Sequence, residues 1–155
     1  MKASAQSSTW PLWFRVLFLG VAGAPTLLIL LLGEPRDLWI GLIATFLLLL
    51  VWRKLARVDV QVDEEGLQFG FGGLHNRVPW SRVRRFEAED YRALRYGGWG
   101  YRMAGWRDRA YSVLGERRGV RVEFEDEKGK VSKIFLSCPD PDRLVDAVNR
   151  KISFR

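Results

Sequence analysis

The chain has 155 residues, one cysteine (Cys138), one histidine (His75) and a formal net charge of +7. One thiol excludes an internal disulfide and any thiolate-rich metal site, and one imidazole argues against the common His-based zinc sites. No cofactor or metal is expected, and a reduced, cytoplasmic setting for any soluble part fits the cysteine usage.

Taken in chain order, the apolar content falls before residue 53. Val16–Leu32 is 17 residues without a charge and Leu38–Trp52 is 15, with the short linker Gly33–Asp37 between them. As helices these runs cover roughly 25 and 22 Å, so the flanks must join in to cross a hydrocarbon core of about 30 Å. The expectation is a transmembrane hairpin with helices over about residues 10–32 and 38–53. A buried helix pair of a soluble protein explains such pure runs less well. A cleaved signal peptide ending at Ala22-Gly23-Ala24 has too few apolar residues before it and a proline directly after.

The flanks suit a membrane interface. Trp10 and Trp13 precede the first run, and Trp39 and Trp52 bound the second, as aromatic belts do. Arg15 has a stem long enough to snorkel to the headgroups, and Arg53 and Lys54 close the second helix with positive charge. Pro25 is expected to kink the first helix, and Gly20 and Gly23 to let the second approach closely. Basic residues dominate the outer flanks while the linker balances Arg36 against Glu34 and Asp37. The positive-inside rule therefore places both termini in the cytoplasm. The division that follows is an anchor over residues 1–57 and a cytoplasmic module over 58–155.

The module reads as short strands. Val58–Asp63 alternates, Glu64-Glu65-Gly66 turns, and Leu67–Phe71 alternates again. Arg77–Trp80 is a short or edge strand because of its proline. Ser81–Glu89 has Val83 and Phe86 as inward residues, at a spacing that strict alternation does not give. Tyr91–Arg109 is irregular and glycine-rich. Ala110–Leu114, Val120–Phe124 and Val131–Ser137 complete seven strands. A closing helix is capped by Asp140, with Pro141 at its first position and Leu144, Val148 and Ile152 along one face.

Two helices, seven strands and a final amphipathic helix resemble the small bacterial membrane proteins that carry a pleckstrin-homology-like (PH-like) domain. The residues that carry the likeness are Val60–Phe71, Val78-Pro-Trp80 with Ser81–Val83, Gly98–Arg102, and the Ser137–Leu144 entry to the last helix. The resemblance implies an α+β membrane protein of the bacterial inner (plasma) membrane, with a bent antiparallel sheet or partial barrel plugged by the C-terminal helix. It implies a binding platform more than a chemistry. Lipid-binding PH domains commonly place basic residues in the first strand–strand loop; here that loop is Asp63-Glu64-Glu65-Gly66, which repels an anionic headgroup.

No catalytic constellation stands out. His75 lies in a glycine-rich turn, Gly97-Gly-Trp-Gly100 lacks the spacing and ending of a phosphate loop, and Cys138 has no activating neighbour in sequence. The sharper signal is arginine. Between Arg77 and Arg121 there are 12 arginines, no lysine and five acidic residues, interleaved with tyrosine and tryptophan. Arginine favours bidentate contacts and stacking. A solvated face with internal ion pairs is the plain explanation. The functional one is a surface for a partner protein or for anionic lipid, built from Arg92, Arg95, Trp99, Tyr101, Arg102, Trp106, Arg107 and Arg109. Self-association fits the same surface, and nucleic acid is not expected beside a membrane anchor. The expected role is a non-enzymatic scaffold or accessory subunit.

Overall fold

The computed structural model describes residues 4–152 apart from residue 73. Helix α1 (Leu12–Leu32) and helix α2 (Leu38–Leu55) are joined by a 3-10 turn at Pro35–Asp37. Both are long and apolar enough to cross a membrane, and almost none of their surface is buried inside the protein. Pro25 sits within α1 without ending it. The close approach between the helices is not at Gly20 or Gly23, where an added Cβ would meet nothing within 4 Å. It is at Gly41, where a Cβ would stand 2.8 Å from the Thr26 Cα. Beside it the Thr26 and Thr45 hydroxyls lie 2.9 Å apart, and Thr45 donates to the Ala22 carbonyl at 2.9 Å. A small residue facing two threonines thus sets the spacing, as is usual where backbones pack in lipid.

Nine strands form two sheets among the described residues, where seven in one bent sheet were expected. The first contains β1 (Ser4–Thr9), β2 (Arg57–Val62), β3 (Gly66–Phe71) and β4 (Leu74–Pro79), in that order and antiparallel throughout. The second contains β5 (Val83–Asp90), β6 (Gly100–Gly105), β7 (Asp108–Ser112), β8 (Arg118–Glu125) and β9 (Val131–Ser137), in the order β5-β8-β9-β7-β6. It is not wholly antiparallel. β7 and β8 flank β9, so the Val113–Arg117 connection passes its end and β7 lies parallel to β9. The sheets do not close into a barrel.

The additional strands are the two that hydrophobic alternation cannot reveal. β1 is Ser-Ala-Gln-Ser-Ser-Thr, and pairs from Ser4↔Val62 to Thr9↔Arg57 although both helices separate it from β2 in sequence. β6 is exposed almost throughout, and pairs with β7 in a hairpin that ends at Trp106.

Alternation does place the core. Val58, Val60 and Val62 of β2, Leu67 and Phe69 of β3, Val120 and Val122 of β8, and Ile134 and Leu136 of β9 meet between the sheets. A register shift between Val83 and Arg85 brings Val83 and Phe86 to the same core despite their odd spacing. Helix α4 (Pro141–Ile152) packs on β5 and β8 and buries Leu144 and Val148. Its N-terminus is capped as expected, the Arg143 N–H donating to the Asp140 carboxylate at 3.1 Å. Gln6 of β1 is bound on both sides to the Asp140 backbone.

Two contacts fix which end of the module meets the helices. A Cβ on Gly72, whose φ is +43°, would lie 2.1 Å from the Lys54 carbonyl oxygen, so the β3–β4 turn abuts the end of α2. A Cβ on Gly115 would lie 3.5 Å from Pro11, so the β7–β8 connection abuts the start of α1. Trp10 seals this junction: its indole N–H donates to the Leu55 carbonyl at 3.1 Å, and its ring stacks on Phe14 and packs against the core. Arg15 donates to the Trp10 carbonyl at 2.8 Å. Trp52 stacks on Phe18, whereas Trp13 and Trp39 are exposed.

Candidate functional site

The arginine-rich stretch divides into an internal network and a set of free cations. The network lies on the outer face of the second sheet. Val120 and Val122 face the core, so Arg121 between them points outward, yet it is only 7% exposed. Its cover is the segment that reads as irregular in sequence. There α3 (Ala93–Tyr96) ends at Gly97, which holds the left-handed φ of +71°, and Tyr91 and Tyr96 pack on Ala110 and Phe135. The Arg121 guanidinium reaches Glu89 at 3.1 Å and Asp108 at 3.2 Å. Tyr96 donates to Asp108 at 2.7 Å, and Arg95 pairs with the same carboxylate. Burial lowers the Arg121 pKa, but Tyr96, Asp108 and Glu89 more than offset this and raise it.

Burial, then the hydrogen bond to Asp108, pushes the Tyr96 pKa from 10.0 up to about 12. A phenol whose folded pKa exceeds its unfolded one contributes stability that is complete below the unfolded value and lost as pH rises through the folded one. Stability is therefore expected to fall between about pH 10 and pH 12, and Tyr96→Phe should flatten that slope. Denaturant unfolding followed across this pH range tests it; an unchanged slope in the variant would remove Tyr96 from the account.

The eight arginine and aromatic residues expected to form one surface do not come together. Arg92 is loosely paired with Glu89 at 3.9 Å and Arg95 belongs to the buried network. Trp99 lines a shallow hollow of about 540 Å³ with Tyr91, Glu116 and Arg117, at the end that abuts the helices. Arg102 donates from Nε to the Trp99 carbonyl at 3.0 Å. Tyr101 packs edge-on against Tyr111. Trp106, Arg107 and Arg109 lie instead around the tip of the β6–β7 hairpin. β7 runs from the tip towards the Gly115–Pro11 contact and β8 runs back from it, so this tip is the remote end of the module.

At that remote end is a cleft of about 780 Å³. Its floor is Phe69, Val78, Tyr111, Phe124 and Ile134. One wall is β4, and the other is the β6–β7 tip with the β8–β9 turn. Asn76 on β4 reaches across to the Tyr111 hydroxyl at 3.4 Å. Arg82, Arg107 and Arg109 line it, and none has a carboxylate within ion-pairing distance among the described residues. Arg77, also on the rim, is paired with Asp63 and Glu65. The acidic β2–β3 turn is thus part of an ion-pair cluster. The Asp63 carboxylate also accepts the Glu65 and Gly66 N–H groups at 2.9 and 2.8 Å. Burial alone would raise the Asp63 pKa; these donors and Arg77 lower it.

Sequence reasoning finds Trp106, Arg107 and Arg109 but not Arg82, Asn76 and Tyr111, which share their cleft. The available signal is the proline in Arg77–Trp80, which marks β4 as an edge strand and therefore as one side of an opening. Cys138 is fully buried, and burial above all pushes its thiol pKa up to about 12. Compared with models of known protein families, with curated proteins and with solved structures, the chain matches none of them.

Proposed function

We propose that this chain is a membrane-anchored, non-enzymatic scaffold or accessory subunit whose cytoplasmic, PH-like module binds a partner protein. The observation that carries this reading is the position of the free cations. Arg82, Arg107 and Arg109 surround an open cleft beside Trp106, which is 91% exposed. Arginine and tryptophan at the mouth of an apolar cleft are the usual anchors of protein interfaces. The cleft lies about one strand, roughly 23 Å, from the end of the module that meets the helices. Screening acts over about 8 Å at physiological salt, so a lipid surface there exerts little pull on these residues.

The PH-like reading is supported by the order of the elements: two packed sheets with a C-terminal helix that buries Leu144 and Val148 against them. The parallel β7–β9 pair and the added β1 are departures from it. Both chain segments flanking the helix pair join one sheet, which agrees with the charge asymmetry that puts both termini in the cytoplasm of a bacterium.

Anionic lipid is the second reading, and a different part of the molecule favours it. Arg92, the fully exposed Leu94 and Trp99 lie at the end that abuts the helices, near enough to meet headgroups.

Purification of the full chain from native membranes in mild detergent tests the first reading. A stoichiometric partner is expected, retained by the wild type and by a chain with Arg92→Ala and Trp99→Ala. A monomer without partners would overturn it. Loss of membrane-facing quenching of Trp99 by brominated anionic lipid, relative to neutral lipid, would overturn the second.

A further inference from the structure

The cleft has a second property besides its charge: one of its walls is an unpaired strand. β4 bonds to β3 on one side and, among the described residues, to no strand on the other. Its residues Leu74–Arg77 are exposed, and the inner-facing Asn76 and Val78 look onto the second sheet across the gap. An edge of this kind presents alternate N–H and C=O groups ready to accept another strand. Of the three other edge strands, β1 and β5 are tied to α4, through Gln6 and through packing, respectively, while β6 is exposed like β4. Among these edges it is β4 that forms a wall of the cleft with its inner face. At β4 nothing performs that service among the described residues.

We propose that the cleft takes an extended, acidic segment of a partner protein, which adds to β4 as a further strand of the first sheet. Main-chain bonds to β4 supply affinity, and alternate side chains of the guest point into the cleft. The charge of the lining selects the guest. Arg82 comes from the 3-10 turn Trp80–Arg82, Arg107 from the hairpin tip and Arg109 from β7, so three separate elements direct unpaired guanidinium groups to one opening. The acids on the same rim are largely engaged. Glu125 is paired with Arg84, and Asp126 accepts the N–H groups of Lys128 and Lys130 at 2.8 Å. Glu127 is left against the three arginines, Lys128 and Lys130, and the Asp126 carboxylate also feels the charge of Arg107. A volume of about 780 Å³ is ample for the side chains of a short segment. A bare headgroup would satisfy the cations but leave the β4 edge and the apolar floor unused.

This proposal rests on the partner-binding reading, and the experiment separates the two. The full chain, held in nanodiscs of neutral lipid, is panned against a displayed library of random nonapeptides. Isolated peptides are then measured by fluorescence anisotropy. The retained peptides are expected to be rich in Asp and Glu. Affinity should fall roughly tenfold or more in Arg107→Glu/Arg109→Glu and, independently, in Arg82→Glu. Arg117→Glu, an exposed residue away from the cleft, should leave it unchanged. N-methylation of successive peptide bonds should weaken binding at one parity only, the signature of a strand that bonds on one side. Failure to retain acidic peptides, indifference to both charge reversals, or indifference to N-methylation at every position would overturn the proposal. So would a disulfide between two copies of Asn76→Cys, which would make a second copy the occupant. Should a natural partner co-purify and stay bound to both charge-reversed chains, the strand-addition proposal falls while the partner reading stands.

Discussion

Replacing Arg121 by alanine should destabilise the module by about 3–5 kcal/mol, the cost of removing one partner from a buried ion pair. The reason lies in what stays behind. Asp108 and Glu89 are mostly buried and would lose their common counter-ion. Arg95 still reaches Asp108, so Glu89 is the carboxylate left worst off. The Tyr96 ring that covers the guanidinium would lie over a void. Arg121→Met, which keeps the stem and the packing, should cost less only if Glu89→Gln and Asp108→Asn accompany it. Arg82→Ala is the matched control, since its side chain has no ion partner, and should change stability by no more than about 0.5 kcal/mol. Denaturant unfolding of the full chain in detergent, followed by tryptophan fluorescence, measures both. Equal and small effects would mean that the network is solvated and that α3 does not cover it.

The second large effect is expected at Gly119, where β8 begins its pairing with β9. A Cβ there would stand 2.2 Å from the Leu136 carbonyl oxygen and 2.6 Å from the Phe135 ring. The ring can turn only against Tyr91, on which it packs at 4.9 Å. The carbonyl belongs to a central strand bonded on both sides. Neither neighbour yields cheaply. Gly119→Val should therefore cost about 3 kcal/mol, the upper part of the range for overpacking, and should open the β8–β9 ladder from this end. Hydrogen exchange at Val120 and Leu136 checks this against Gly129→Ala, where a Cβ meets nothing and only the φ of +71° is strained. Similar protection in both variants would show that the backbone accommodates the side chain.

Both effects mark where the sequence could be read and where it could not. Elements with an apolar face or an unbroken apolar run announce themselves. The two helices, the alternating strands β2, β3, β8 and β9, and the Asp140 cap follow from periodicity and capping chemistry alone. β1 and β6 carry no such signal. The first is a run of small polar residues that lies on an edge, and the second is an exposed ribbon held by β7. Arg121 is the instructive failure. An arginine between two core valines reads as a solvent-facing residue, because alternation says which face it takes and not what covers that face. Its cover comes from Tyr96, a residue whose segment has too many glycines to suggest a lid. The same gap explains the candidate site. Composition locates twelve arginines, but only the ion pairs separate the seven that are internally matched from the other five, three of which (Arg82, Arg107 and Arg109) line the cleft.

The pairing of β1 with β2 has a consequence for how this molecule is made. β1 cannot meet β2 until the strand after α2 has been made, and the two helices must be folded back on one another before the strands can pair. Closing so long a loop is costly for a loose chain and cheap for one whose helices are already paired through Gly41, Thr26 and Thr45. Pairing of the helices therefore comes first and completion of the sheet second. A fusion that forces the amino terminus across the bilayer should leave β2 as a bare edge, and the nascent module open to aggregation. The helix pair is in this sense an assembly template: the sheet is finished only by a chain whose two helices have folded back on one another.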